Sequence, residues 1–475
     1  MSRSTSILVL VAFVLAGVNW GIASEITVNS VETLKAAVSQ AVPGDMIIVS
    51  SGDYSKPIDI VGRGSDVSHI TIRSEQGAPV VLNGPIYLRG SYLSLEGFDF
   101  GPKGRVEFAE GRGHRLWRCR FDALKAGHWV RFQDEATHCE IGYCSFTNDD
   151  NAGESGNQQI IQILRSDETG PDYHHIHHNY FANVTPGEDS NGFETIQLFH
   201  GAEGGRGSSQ SIVEYNVFER CNGEVEMISV KCSDNIIRYN LIKECRGGLV
   251  VRKGTGNLIE GNVFLGNNVE KTSGIRFQGN EQIVVNNFMS NLAYSAISLH
   301  NGDPENYYDP VQGATIAFNT IINCGRAFNI GVRHPKLDSS ISPVDVVIAN
   351  NILVTSGTQI FDPDGAMASW KVEGNLAFGT TPELADLSGF TFQDPLLVPS
   401  LGGIFVPTAG SPAITQAQGE YPDITKDIYG TPRSVEGKTI GAVEFTLPEL
   451  PVSRATVGPD AAPHEATSIL DSSVL

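Results

Sequence analysis

Long apolar runs are scarce in this 475-residue chain. Apart from Ile7 to Val18, no stretch approaches the roughly 20 residues that a membrane-spanning helix needs. The first 24 residues combine one early cation (Arg3), that apolar run and small residues at Gly21, Ala23 and Ser24. This is the pattern of a cleavable secretory signal, so a secreted or periplasmic protein with no membrane span is expected, its mature chain starting near Ser24 or Glu25. Positive charge is also in deficit, with 33 Lys+Arg against 54 Asp+Glu and a formal net charge of -21. A general nucleic-acid or anionic-membrane role would need a field of the opposite sign. A polyanionic substrate would need a concentrated basic strip. Cysteine is sparse and odd in number, seven in all, which argues against a disulfide-built scaffold despite the oxidising destination. Helical periodicity is almost missing after the first segment. What remains, 40% hydrophobic and 18% charged, is too apolar for disorder and sufficient for a large core.

What the chain has instead is a repeat. A phrase of an apolar residue, two variable ones and asparagine recurs at Asn179, Asn216, Asn240, Asn262, Asn286, Asn319 and Asn350, at intervals of about 22 to 37 residues, with Gly97, Cys119 and Cys144 in the same slot upstream. Brief apolar alternations and glycines fill the intervals, which predicts short strands. Coils of 22 to 25 residues with three short strands each suit an all-β, right-handed parallel β-helix stacked at roughly 4.8 Å per coil. The asparagines then form an internal hydrogen-bonded ladder. Cys221, Cys245 and Cys324, each five positions after a ladder asparagine, are read as an apolar stack. A Cys221–Cys245 disulfide is conceivable at one-coil spacing but is the weaker reading.

Ser30, with Glu32, Val31, Leu34, Ala37 and Val38 behind it, predicts a short amphipathic helix that lids the first coil. Pro43-Gly44-Asp45 then turns into a first strand at Met46 to Val49. The phrase from Ser411 to Glu444 reads as a terminal cap. Residues 25–445 form one β-helix domain in this reading, between the 1–24 signal and a flexible 446–475 tail.

Aligning coils by strand alternation brings the chemistry together. Four segments align: Ile228 to Lys231, Leu249 to Arg252, Ile275 to Gln278 and Ile297 to His300. Their first and third residues are apolar and face the core. Lys231, Arg252, Gln278 and His300 therefore form one outward column, with Arg276 in the neighbouring one. This is the basic strip that the global charge requires. Stacked like charges repel by on the order of 3 kcal/mol at one-coil spacing and an effective dielectric of 20. Surface columns of charge are usually solvated decoration, yet that cost favours function. One coil earlier, Ile196 matches Ile228, so Glu194 and Glu226 share a slot with Asn191 and Glu224 at the preceding bend. Such an all-oxygen set needs a cation and favours Ca²⁺. Strict alternation would turn Glu226 away from Lys231, so a bend near Met227 is required.

These residues resemble the chondroitinase B-like alginate lyases of polysaccharide lyase family six. The resemblance runs from Pro43-Gly44-Asp45 to about Asn319 and rests on four phrases: Asn191-Gly192-Phe193-Glu194, Asn222-Gly223-Glu224-Val225-Glu226 through Lys231, Arg252-Lys253-Gly254 and Gly274-Ile275-Arg276. It implies Lys231 as Brønsted base, Arg252 as acid, Asn191, Glu224 and Glu226 as calcium ligands and Arg276 as a substrate contact. Lys253, Gln278 and His300 would line the same subsites. Two departures are Lys253, where the family often has His, and Cys232, where it has Ser. The implied reaction removes the proton α to a uronate carboxylate and expels the O4 substituent, leaving a 4,5-unsaturated sugar. Alginate rich in β-D-mannuronate is the favoured substrate. Dermatan sulfate would call for more cations than Arg333 and His334 supply. A hydrolase built on Asp149-Asp150, or a non-catalytic polysaccharide-binding solenoid, are the competing classes. A transition-metal site at His174, His175, His177 and His178 is disfavoured, because alternation spreads them over two faces. The protein is expected to be a monomer.

Overall fold

The computed structural model describes residues 23–462, except for short segments at 78–79, 126, 166–169, 189–190, 200–206, 306, 335–336, 356–360, 364–368, 380–387 and 445–448. Most of the predicted signal segment (1–22) and the end of the predicted tail (463–475) lie outside the described residues.

The chain winds through three long parallel sheets of 14, 14 and 13 strands, so the parallel β-helix expected from the repeats is what forms. Each coil visits the sheets in one order, for example Ile212–Glu214 in the first, Val217–Cys221 in the third and Glu226–Val230 in the second. The core runs the length of the solenoid and is filled by one inward residue per alternation, with Phe121, Phe146, Phe181 and Phe218 on successive coils, each ring stacked on the next at 4.8–4.9 Å.

A two-residue corner joins the first sheet to the third. Its first residue takes a left-handed conformation, as at Tyr215, Tyr239, Gly261 and Phe318. The second is the ladder asparagine. Asn240 Nδ2 donates to Asn262 Oδ1 at 3.0 Å and Asn262 Nδ2 to Asn287 Oδ1 at 3.0 Å, while each backbone N–H donates to the same oxygen. The ladder therefore passes through Asn287 and Asn351, not Asn286 and Asn350. The Asn-Asn doublets are ambiguous in sequence, and the first member of each occupies the left-handed position (φ 60° and 55°), which Asn tolerates. By the same offset Gly97 (φ 72°) is the corner residue and buried Phe98 the slot; Cys119 and Cys144 sit where expected. Cys221 and Cys245 stack at the far end of the third sheet, and all seven cysteines are free thiols.

Helix Val31–Gln40 begins at Ser30, whose side chain accepts from the Thr33 N–H, and it buries Leu34 and Val38 against the Ile58–Arg63 strand. A strand not expected, Glu25–Val28, precedes it and pairs with Met46–Val49. The segment read as a terminal cap does something else. Ile428, Ala442 and Val443 pack on Val263, Phe288 and Ile322 of the third sheet, while Tyr421 and Ile424 pack on Val285, Ala317 and Ala349 of the first, so this segment runs along the outside of the solenoid. Its buried Arg433 donates to Glu444 at 3.0 Å and to Asn286 at 2.6 Å. The beginning of the predicted tail is packed as well: Val452 and Val457 are buried against Val217, and Arg118 donates to the Pro459 carbonyl at 2.5 Å. Apolar residues spaced without periodicity gave no sequence signal for either contact.

Candidate active site

The second sheet carries the site because of an irregularity at its entry edge. In several coils two consecutive residues, not one, enter the core: Ile160-Ile161, Met227-Ile228, Ala296-Ile297 and Ala327-Phe328. The register shifts between Glu226 and Ile228, and again between Gly247 and Leu249. This bulge supplies the bend required near Met227. Outward positions become the first, fourth and sixth of each segment. Glu226, Ser229 and Lys231 thus share a face, and Ser229 Oγ donates to Glu226 Oε2 at 2.8 Å.

Register pairs Val230 with Val251 and Val251 with Phe277, then Phe277 with Leu299, which places Lys231, Arg252, Gln278 and His300 in one column on consecutive coils. Lys231 is 8% exposed and Arg252 keeps a fifth of its side chain exposed. Arg252 Nε lies 3.6 Å from Glu226 Oε1, and its Nη2 donates to the Tyr308 hydroxyl at 2.9 Å. Arg276, in the adjacent column, donates to Glu226 Oε1 at 2.5 Å. Gln278 and Lys253 are nearly buried, and the Lys253 ammonium sits 5.2 Å from the Tyr307 ring. Burial, with Arg276 and His334 nearby, pushes His300 down to about 3, so it is neutral at working pH.

Carboxylate oxygens of Glu194, Glu224 and Glu226 lie within 4.8 Å of one another, all buried. Glu224 Oε2 accepts from the Gly192 and Phe193 N–H groups at 2.5 and 3.2 Å. Asn191 precedes them and is exposed. Burial and the charges of Glu194 and Glu226 raise Glu224 to about 8, against the pull of those two N–H groups. Burial also works against Glu226, but Arg276 and Arg252 hold it below the usual range. The donor set is all oxygen and carries negative charge that the flanking guanidiniums reach only at Glu226. It suits a hard divalent cation such as Ca²⁺ better than Zn²⁺.

Sequence reasoning missed two parts of the site. One is Tyr308, in a loop held by Asp303, whose carboxylate accepts from the Glu305, Tyr307 and Tyr308 N–H groups. The long interval between Asn287 and Asn319 was its signal. The other is an amide column: Gln159 Nε2 and Gln197 Nε2 donate to Glu194 at 2.8 and 2.6 Å, and Gln162 donates to Gln197. The three-residue step Gln159/Gln162, Glu194/Gln197, Glu226/Ser229 was its signal.

The sequence profile of the chondroitinase B family matches residues 28–109 and 119–369. The chain belongs to that family. This polysaccharide lyase is similar to a mannuronic acid specific family 6 lyase from human gut microbiota, with 27% identity and a TM-score of 0.69 over 78% of this chain and 91% of that one. It is also similar to the family 6 alginate lyase AlyGC, with 27% identity and a TM-score of 0.74 over 90% of this chain and 59% of that one. A family 6 lyase from Pseudopedobacter saltans, 24% identical with a TM-score of 0.63 over 78% of this chain and 96% of that one, shares the fold. No curated protein sequence matches this lyase.

The competing sites do not assemble in the same way. Asp149 is buried and bonded to Asn151, while Asp150 accepts from Thr185 and the Ala152 N–H, so both serve a turn. His175 and His177 do share an outer face, on the first sheet, with Glu140 and Glu214; His174 faces the core. Those carboxylates are already engaged by Arg115 (2.6 Å) and Arg238 (2.7 Å) as well as by the imidazoles. Burial would raise both acids, but His177 and Arg115 hold Glu140 at about 2, and His175 and Arg238 hold Glu214 at about 2. A depressed carboxyl stabilises the fold fully above its unfolded value and loses that contribution as pH falls through the folded one. Acid should therefore weaken the solenoid between about pH 4.5 and 2, by on the order of 2 kcal/mol per carboxyl. Urea midpoints measured from pH 6 to 3 should fall less steeply in Glu140→Gln than in the parent; an identical slope refutes the assignment.

Proposed function

We propose that this lyase is exported and cleaves alginate, with preference for β-D-mannuronate, by calcium-assisted β-elimination. The observation that carries the reading is the Lys231–Arg252 column beside the buried Glu194, Glu224 and Glu226 carboxylates. Lys231 accepts the C5 proton, its amine standing on the coil next to Arg252. Arg252, fixed by Tyr308 and Glu226, hydrogen-bonds the departing O4 and assists its protonation. Arg276 orients the uronate at the cleavage point. Asn191, Glu224 and Glu226, with Glu194 behind them, would hold Ca²⁺, which when bound offsets the negative charge that the substrate carboxylate gains as the proton leaves. The mannuronic acid specific relative, 27% identical, supports alginate over dermatan sulfate.

Incubation with mannuronate blocks, guluronate blocks and dermatan sulfate, read at 235 nm, tests this, because only elimination creates the conjugated double bond. Mannuronate blocks should give the fastest rise. EGTA should abolish it, and excess Ca²⁺ should restore it. Faster turnover of dermatan sulfate would reassign the substrate, and full activity in EGTA would remove the metal.

A further inference from the structure

A cleft of about 270 Å³ opens on the second sheet beyond the catalytic column, and of its lining residues only Arg276 enters the proposed chemistry. Its origin lies in the same outward column that holds the acids. As Glu226 stands two positions before the inward Ile228, so Gly247, Ser273 and Ser295 stand two positions before the inward Leu249, Ile275 and Ile297 of the following coils, and Arg326 pairs with Ser295 on the next. Three small residues in succession leave a trough along the solenoid axis. Arg326, on the last of these coils, closes one end.

Arg276 and Asn329 form one wall of this trough, and Lys271 and Tyr294 the other. Lys271 and Arg326 are exposed, and Tyr294 is 55% exposed. Among its lining residues are three cations and no carboxylate. In a chain of net charge -21, this is a concentrated positive seat. Small floor residues, an exposed aromatic wall and hydroxyl and amide groups suit a pyranose ring, while a guanidinium at the end suits a carboxylate. Three coil steps of ~4.8 Å span roughly 14 Å, about two to three sugar residues.

We infer that this trough is a distal subsite for the polyuronate, in which Arg326, aided by Lys271, binds a uronate carboxylate two to three sugars from the scissile bond while Tyr294 packs on the intervening ring. The inference rests on the lyase reading and adds a length dependence to it. Arg326 touches substrate far from the reacting atoms, so its loss raises KM for long chains and leaves the chemical step alone.

Kinetics on mannuronate oligomers of three to eight residues, followed at 235 nm, decide it. For Arg326→Ala, KM on the hexamer and octamer should rise about tenfold, with kcat unchanged and trimer kinetics equal to the parent's. Arg326→Gln should match Arg326→Ala, and Tyr294→Ala should show the same length-selective loss. Equal KM for variant and parent at every length overturns the subsite while leaving the lyase intact. So does a loss that is uniform in length or that falls on kcat. A parent enzyme that yields no 235 nm product from any uronate chain sinks the lyase reading and the subsite with it.

Discussion

Lys231→Ala should lower kcat on mannuronate blocks by about a thousandfold, the middle of the range for a positioned general base. Its fold should survive. The amine makes no hydrogen bond or ion pair among the described residues, so its removal orphans no partner, and the Lys231 backbone N–H keeps its bond to the Leu198 carbonyl. Arg252→Ala is a less clean test of chemistry, because the guanidinium also faces Glu226 at 3.6 Å and holds the Tyr308 hydroxyl. Removing it leaves a buried acid with one counter-charge fewer. The comparison needs initial rates at 235 nm together with the melting temperature of each variant. Lys231→Ala retaining a tenth of parental kcat with an unchanged melting temperature would falsify the base assignment.

The largest expected effect on stability comes from the ladder. Asn262→Ala removes an acceptor used by both the N–H and the Nδ2 of Asn240, and a donor to the Ile237 carbonyl and to Asn287. All of these groups are buried, and a buried polar group left unpaired costs about 1–3 kcal/mol. Several at one corner should lower stability by about 3–5 kcal/mol. The damage lies one corner away from the catalytic sheet. Activity at low temperature should therefore persist while the thermal midpoint falls. A midpoint equal to the parent's would mean that water replaces the amide, and the ladder would then be a consequence of the fold and not a support of it.

The solenoid was legible in the sequence because its corners repeat a chemical requirement: a left-handed residue followed by an asparagine. Where two asparagines adjoin, at Asn286-Asn287 and Asn350-Asn351, either can satisfy the first role and the spacing alone does not separate them. The Lys231 to His300 column was legible because four strands share an apolar-polar alternation. The acids beside it were legible in composition, but their facing was not. Alternation puts Glu226 inside, and only the bulge at Met227, which depends on pairing with the neighbouring coils, turns it out. Tyr308 reaches Arg252 through a loop closed by Asp303, and loop closure leaves no period to read. The chain from Ile404 to Val443 lies on the outer faces of the third and first sheets, and Val452 and Val457 on the third, through scattered apolar contacts that emerge only once those faces exist.

The paired inward step at the start of the later second-sheet strands forces compact residues where coils touch: a side chain at Gly248 would collide with the Gly274 carbonyl, and one at Gly274 with that of Ala296. Since the step recurs along the later coils, each of these rungs offers the same three seats facing the groove. An acid installed at Ser273 would stand two rungs from Glu226 without moving a single peptide. Lineages of this architecture can thus slide a cation seat or a sugar contact along the axis by point substitution, with the scaffold acting as a ruled page.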